Sequence, residues 1–221
     1  LGLGESLVGR SHECDYPLFV KALPVVTSTR LEKGLTSRQI DDRIQEIVRQ
    51  GLSVYEVDTA LLRDLRPDLI LTQSQCAVCA VTPADLEEAL GDWIGTAPTL
   101  LSLAPDTLED VWSDFAKVAE AAGIPERASS VVGDLKERMS GLSRSSAERM
   151  DRPRVAAIEW IDPLMAAGNW VPELIEAAGG HPLFARAGEH SSWLNWDDLI
   201  AADPDLIVAM TCGYLSVSYT H

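Results

Sequence analysis

Apolar side chains recur at helical spacing after residue 36: Ile40, Ile44, Ile47 and Val48 fall on one face. Thr36-Ser37-Arg38-Gln39 ahead of them has the form of a capping box, where a hydroxyl and an amide side chain satisfy the first free backbone amides. Gly51 is a natural stop. Residues 52–57 then alternate apolar and polar, as a half-buried strand does. A short helical segment over 59–65 leads to Pro67, and the run Asp68-Leu69-Ile70-Leu71 predicts a buried parallel strand. Thr82-Pro83 opens another helix, with Pro in the first helical position and Asp85 in the first turn. Residues 99–103 predict the next strand. Strands alternating with helices imply βαβ units and a parallel sheet.

Beyond these, the period lengthens. Leu108, Val111, Trp112, Phe115, Val118 and Ala122 form the apolar stripe of a helix ended by Gly123, which makes Trp112 and Phe115 core residues. Pro125 starts a longer helix, to about residue 150. Its stripe is thin (Ala128, Val131, Val132, Leu135, Met139, Leu142), its other faces are charged, and Gly141 is its weak point. A long polar helix between two sheet-forming regions suits a strut joining two lobes. Strands follow at 154–160 and 206–210, with a helix at 170–178 ended by Gly179-Gly180. A faint repeat supports two lobes: residues 61–70 and 199–207 each read as a short helix followed by Pro-Asp-Leu-Ile. The fold class is therefore α/β, with residues 1–123 as the first lobe, 124–150 as the bridging helix and 151–221 as the second lobe.

Composition adds exclusions. The 221 residues are 46% hydrophobic and 24% charged, enough to build a core. The formal charge of −16, without a basic patch, argues against nucleic acid as a partner. No apolar run approaches the ~20 residues of a membrane span. Four cysteines, Cys14, Cys76, Cys79 and Cys212, are too sparse for a disulfide scaffold. The opening without Met and the unplaceable residues 216–221 make the sequence read as an internal fragment, truncated at both ends.

Local chemistry is thin. Gly2, Gly4 and Gly9 are spaced G-x-G-x4-G with no strand before them, which fits a helix end and turn better than a nucleotide loop. No nucleophile elbow, zincin motif or Walker loop occurs, so no enzyme activity is expected and no catalytic residue is assigned. Segment 11–17 (Ser-His-Glu-Cys-Asp-Tyr-Pro) follows the apolar pair Leu7-Val8, and so reads as a loop at a strand's carboxyl end, where α/β sheets bind ligands. Gln73–Cys79 follows a strand in the same way. Cys76-x-x-Cys79 has redox spacing, but the next helix starts only at Pro83. His12 and Cys14 with Cys76 and Cys79 would supply four zinc ligands, although His-x-Cys is an unusual pair. Free cleft or core thiols is the plainer reading. Trp160, Trp170, Trp193 and Trp196 lie close in sequence, and indole faces suit either core filling or a large planar ligand.

The chain resembles the substrate-binding proteins of iron-siderophore, haem and vitamin B12 ABC importers, especially the cobalamin-binding branch. The likeness is carried by LGLGESLVGRSHECDYP from Leu1, LRPDLILTQ from Leu65, PERASSVVGDLKERM from Pro125, EWIDPLMAAGNWVPELIEAAGG from Glu159 and WDDLIAADPDLIVAM from Trp196. The resemblance implies two α/β lobes joined by one rigid helix, with the ligand in the cleft between them. It implies reversible capture of a large metal chelate, cobalamin or a related corrinoid, as transported cargo rather than intrinsic cofactor. It implies an ABC importer permease as partner, a monomer, and a periplasmic or extracytoplasmic location, with a cytoplasmic one left open. Carried over by position, Cys14, Asp15, Tyr16, Gln73 and Gln75 line the first lobe; Trp160, Asp162, Asn169, Trp170 and Trp193 line the second. Asp197 matches a permease-docking acid, whereas the first lobe holds Cys79-Ala80-Val81 at the matching stretch. That departure keeps open a corrinoid- or metal-handling protein without a permease, and a thiol or zinc protein using Cys76 and Cys79. The neutral-to-acidic loops, with Glu13, Asp15, Glu159 and Asp162, argue against an anionic ferric siderophore.

Overall fold

The computed structural model describes residues 1–50, 52–74, 81, 86, 91, 96–147 and 151–211. The described chain is α/β and divides into two compact units, residues 1–104 with 114–128, and residues 105–113 with 129 onward.

The first unit contains β1 (Thr27–Thr29), α1 (Ser37–Arg49), β2 (Tyr55–Val57), α2 (Thr59–Leu65), β3 (Leu69–Gln73) and β4 (Thr99–Leu103). The capping box forms as the spacing requires: the Gln39 amide donates to Thr36 Oγ1 at 3.3 Å, and the Thr36 amide donates to Gln39 Oε1 at 2.9 Å. Ile47 of α1 packs with Val54 and Tyr55 in a small core. Two expectations change here. β1 has no strong apolar signal, yet it pairs antiparallel with β2, so among the described residues of this unit β3 and β4 are the parallel pair of strands that alternation implied. Leu7-Val8 is not a strand: both side chains are exposed, and the chain meets its neighbour only in a lone parallel bridge between Arg10 and Val25. The stop at Gly51 and the helix at Thr82-Pro83 lie outside the described residues.

Helices α3 (Leu108–Ala121) and α4 (Pro125–Ala147) follow, and the unit boundaries after residues 113 and 128 fall inside them. Along α3, Trp112 and Phe115 are half-buried rather than core, while Asp114 and Ala119 are buried. Asp114 tolerates burial because one carboxylate oxygen accepts from Lys117 Nζ at 2.7 Å. Helix α4 is continuous through Gly141, and through Gly133 as well, a second glycine that the stripe argument passed over. Its stripe is buried at Ala128 and half-buried from Val131 through Met139, but Leu142 is 61% exposed and leaves it.

The second unit is built on β5 (Arg154–Ile161). Residues Val155–Ile158 are all buried, as the strand of a sheet covered on both faces should be. One edge of β5 carries β8 (Leu206–Ala209), parallel. The other edge carries β7 (His181–Pro182) and then β6 (Leu164–Ala166): the Val155 and Ala157 carbonyls accept from the Leu183 and Ala167 amides. The β5–β6 hairpin was not legible as such, since residues 161–164 carry no Asn-Gly or Gly-rich turn. Helix α5 (Val171–Ala177) lends the Glu173 carboxylate to the Leu108 amide at 2.8 Å, capping the start of α3.

The repeat read from sequence has a physical basis. Both α2 and α6 (Trp196–Ala202) are seven-residue helices that end on a left-handed residue, Arg66 at φ 47° and Asp203 at φ 44°. A proline follows each, and the residue before a proline is barred from the right-handed helical region. The chain therefore leaves both helices the same way and enters Asp-Leu-Ile as a strand.

Candidate functional site

The aromatic residues of the second unit are brought together by register. Trp160 pairs with Met165 across the β5–β6 hairpin, and Met165 bridges antiparallel to Trp193. Opposed residues of antiparallel strands project to one face, so Trp160, Met165 and Trp193 form a row across three segments. The Trp160 indole Nε1 donates to the Asp162 carbonyl at 3.1 Å, which fixes the ring along the hairpin. Trp193 is 62% exposed and Trp160 half-buried. Glu159 is the extra residue of a β-bulge, because Ile158 pairs with Ala166 and Trp160 with Met165.

Asn169 and Trp170 sit where the chain turns from β6 into α5, Trp170 at the N-cap. Asn169 adopts φ 53°, a conformation that Asn tolerates better than most residues. Its amide donates to the Glu189 carbonyl at 2.7 Å and its carbonyl accepts from the Gly188 amide at 3.0 Å. Its side-chain oxygen is buried and accepts no hydrogen bond among the described residues. The segment 188–194 thus lies along 164–169, joined further by Ala166 N to the Ser192 carbonyl and Leu194 N to the Leu164 carbonyl, both 2.9 Å. A separate open hollow of about 620 Å³, lined by Pro172, Glu176, His181, Phe184 and Arg186 among others, holds none of the carried-over residues.

In the first unit, loop 11–16 is shaped by its backbone. Arg10 Nη1 donates to the Ser11 and Cys14 carbonyls at 3.0 Å and to the His12 carbonyl at 3.4 Å. His12 is tied down twice at Thr27 Oγ1, by its amide at 3.0 Å and by Nδ1 at 2.7 Å, and its ring lies 5.4 Å from that of Tyr55. Cys14, Asp15 and Tyr16 are all exposed, Tyr16 at 86%. Leu18 at 74% and Phe19 at 53% extend this apolar surface and were missed in the sequence. Gln73 ends β3 and is exposed. Gln75, Cys76 and Cys79 lie outside the described residues, so neither the dithiol nor the four-ligand zinc reading meets a geometry. Cys14 is a free thiol, and no three His, Cys, Asp or Glu side chains are arranged to hold a metal ion among the described residues. Asp197 is an exposed residue in the first turn of α6. Met165, Gly168 and Ser191 were also missed, and Glu159 was read only as part of the negative charge of its loop. Only Gly168, beside Asn169, gave a turn signal, and the others act through a register that no local pattern encodes.

No helix is long and apolar enough to cross a membrane among the described residues. No curated protein matches the chain. Among solved structures, the periplasmic vitamin B12 binding protein BtuF of Vibrio cholerae shares the fold with a TM-score of 0.63 at 18% identity, over 94% of this chain and 69% of that one. The periplasmic heme-binding protein RhuT from Roseiflexus sp. RS-1 gives 0.66 at 24% identity, over 94% and 69%. A periplasmic heme binding protein from Pseudomonas aeruginosa gives 0.65 at 20% identity, over 97% and 67%. The expected fold class holds: two α/β units of the kind these proteins share. A family model described as periplasmic binding protein matches residues 1–219, and the chain belongs to that family.

Proposed function

We propose that this protein captures a large, planar metal chelate, cobalamin or a related corrinoid, and hands it to an ABC importer permease. The carrying observation is the row Trp160–Met165–Trp193, an apolar and aromatic face with one ring largely open to solvent. Such a face gains by stacking on a macrocycle without needing charge. The charge around the carried-over residues favours a corrinoid over an anionic chelate. Arg10, the cation nearest loop 11–16 in sequence, turns Nη1 to three main-chain carbonyls, and Lys21 lies 4.0 Å from Asp15. Glu13, Asp15, Glu159 and Asp162 add negative charge. In this reading residues 1–123 and 151–221 are the two lobes, residues 124–150 bridge them, and Cys14, Asp15, Tyr16, Gln73, Gln75, Asn169 and Trp170 complete the ligand contacts. Asp197 meets arginines of the permease. The role is binding and release at an extracytoplasmic surface, as a monomer, with no turnover.

Haem is the second reading, favoured by the haem-binding proteins among the structural neighbours. Absorbance and tryptophan-quenching titrations with cyanocobalamin and with hemin separate the two. Micromolar or tighter binding of cyanocobalamin is expected. Clear hemin binding with no response to cyanocobalamin overturns the corrinoid reading, and no response to either overturns chelate capture.

A further inference from the structure

The bulge at Glu159 points its carboxylate at the segment that carries Trp193. Ser191 Oγ donates to Glu159 Oε2 at 2.5 Å and accepts from the Gly168 amide at 3.0 Å. One hydroxyl therefore joins three pieces of chain: the bulge next to Trp160, the turn that holds Asn169, and the loop leading to Trp193. All three groups are at least half-buried. Gly168 is packed directly against segment 189–191, since a Cβ on it would lie 2.5 Å from Ser191 N and 2.6 Å from the Glu189 carbonyl oxygen. A buried acceptor and a buried amide meeting at one hydroxyl both lose their partner when it is removed.

We infer that Ser191 is a positioning residue for ligand capture, whose hydroxyl ties Glu159 to the Gly168 amide and so holds Trp160, Asn169 and Trp193 as one preformed wall. This rests on the reading above that the wall meets the ligand. A preformed wall spares the ligand the ordering of three segments, and preorganisation of that kind is where binding sites gain affinity. The hydroxyl touches no ligand itself.

Ser191→Thr and Ser191→Val isolate the hydroxyl, because the two side chains have the same shape. The Val variant is expected to bind cyanocobalamin or hemin, whichever the wild type takes, about tenfold more weakly, and the Thr variant within about threefold of wild type. Ser191→Ala serves in place of Val if that variant does not fold. Ser146→Ala is the control: its hydroxyl accepts nothing from the wall and bonds the Ser143 and Ala177 carbonyls elsewhere in the same unit. Equal affinities for Val and Thr overturn the inference, as does an equal loss in Ser146→Ala. A second readout needs no ligand. Acrylamide quenching of tryptophan emission should rise in the Val or Ala variant and stay at the wild-type level in Thr and in Ser146→Ala. If the wild type binds neither chelate, the proposed function falls while this measurement still decides the positioning role: unchanged quenching in all variants overturns it.

Discussion

Gly168→Ala sets two physical effects against each other, and the structure says which wins. Gly168 is not among the glycines in the left-handed region, so its backbone suits alanine. On chain entropy alone, Gly→Ala at such a site stabilises by about 0.4–1 kcal/mol. The added methyl, however, would sit 2.5 Å from Ser191 N, 2.6 Å from Glu189 O and 2.7 Å from His190 C. All three are backbone atoms, so no side-chain rotation relieves the overlap and segment 188–191 must move as a body. Moving it breaks the bonds from Gly168 N to Ser191 Oγ, Asn169 N to Glu189 O and Gly188 N to Asn169 O. At about 1 kcal/mol each, and more for a group left buried, the loss is about 3–5 kcal/mol. After the entropic gain, a net destabilisation of about 3 kcal/mol remains, or roughly 6–12 °C in Tm for a chain this size. Urea unfolding followed by tryptophan fluorescence reads it well, because Trp112, Trp160, Trp170, Trp193 and Trp196 belong to the second unit. Gly133→Ala is the paired control: it lies inside α4 with nothing within 4 Å of the new methyl, and should stabilise by about 0.5–1 kcal/mol. A Gly168→Ala variant as stable as wild type would refute the steric argument and the closeness of segment 188–191 with it.

Thr36→Ala removes one half of the capping box and should destabilise by about 1 kcal/mol, measured by circular dichroism during urea unfolding. Trp160→Ala should weaken chelate binding by about 1–3 kcal/mol in calorimetry, and an unchanged affinity in a folded variant would assign the indole to packing alone. Asp197→Lys should leave chelate affinity within about twofold of wild type while lowering uptake by membranes carrying the permease. Equal uptake would remove Asp197 from docking.

The parts of this fold that were legible are those decided within a few residues. The capping box needs only Thr36 and Gln39, and Arg66-Pro67 and Asp203-Pro204 each end a helix by local sterics, so α1, α2 and α6 were readable. Strands β3 and β4 announce themselves as apolar runs between turn residues. What escaped is decided by pairing. Strand β1, Thr-Ser-Thr, is a strand only because β2 lies beside it. Trp160 was read at a strand end, but which residue faces it depends on a bulge at Glu159 that nothing in Ile158-Glu159-Trp160 encodes. The candidate site divides the same way. Trp160, Trp170 and Trp193 were candidates by residue type and Asn169 by the family resemblance, whereas Met165 and Ser191 entered only through the register that sets them beside those residues. Leu142 shows the opposite failure: it keeps helical spacing with the stripe of α4, yet it is 61% exposed.

Loop 11–16 keeps its shape through main-chain atoms. Arg10 grips the carbonyls of Ser11, His12 and Cys14, and Thr27 holds the amide of His12, so the path of residues 13–16 rests on main-chain atoms and on the side chains of Arg10, Ser11, His12 and Thr27. The exposed side chains of Glu13, Cys14, Asp15 and Tyr16 are free to vary without rebuilding the backbone beneath them. Sequence drift there would change charge, thiol chemistry and aromatic area while leaving the presentation constant. A scaffold of this kind lets four displayed residues change their chemistry on a fixed perch.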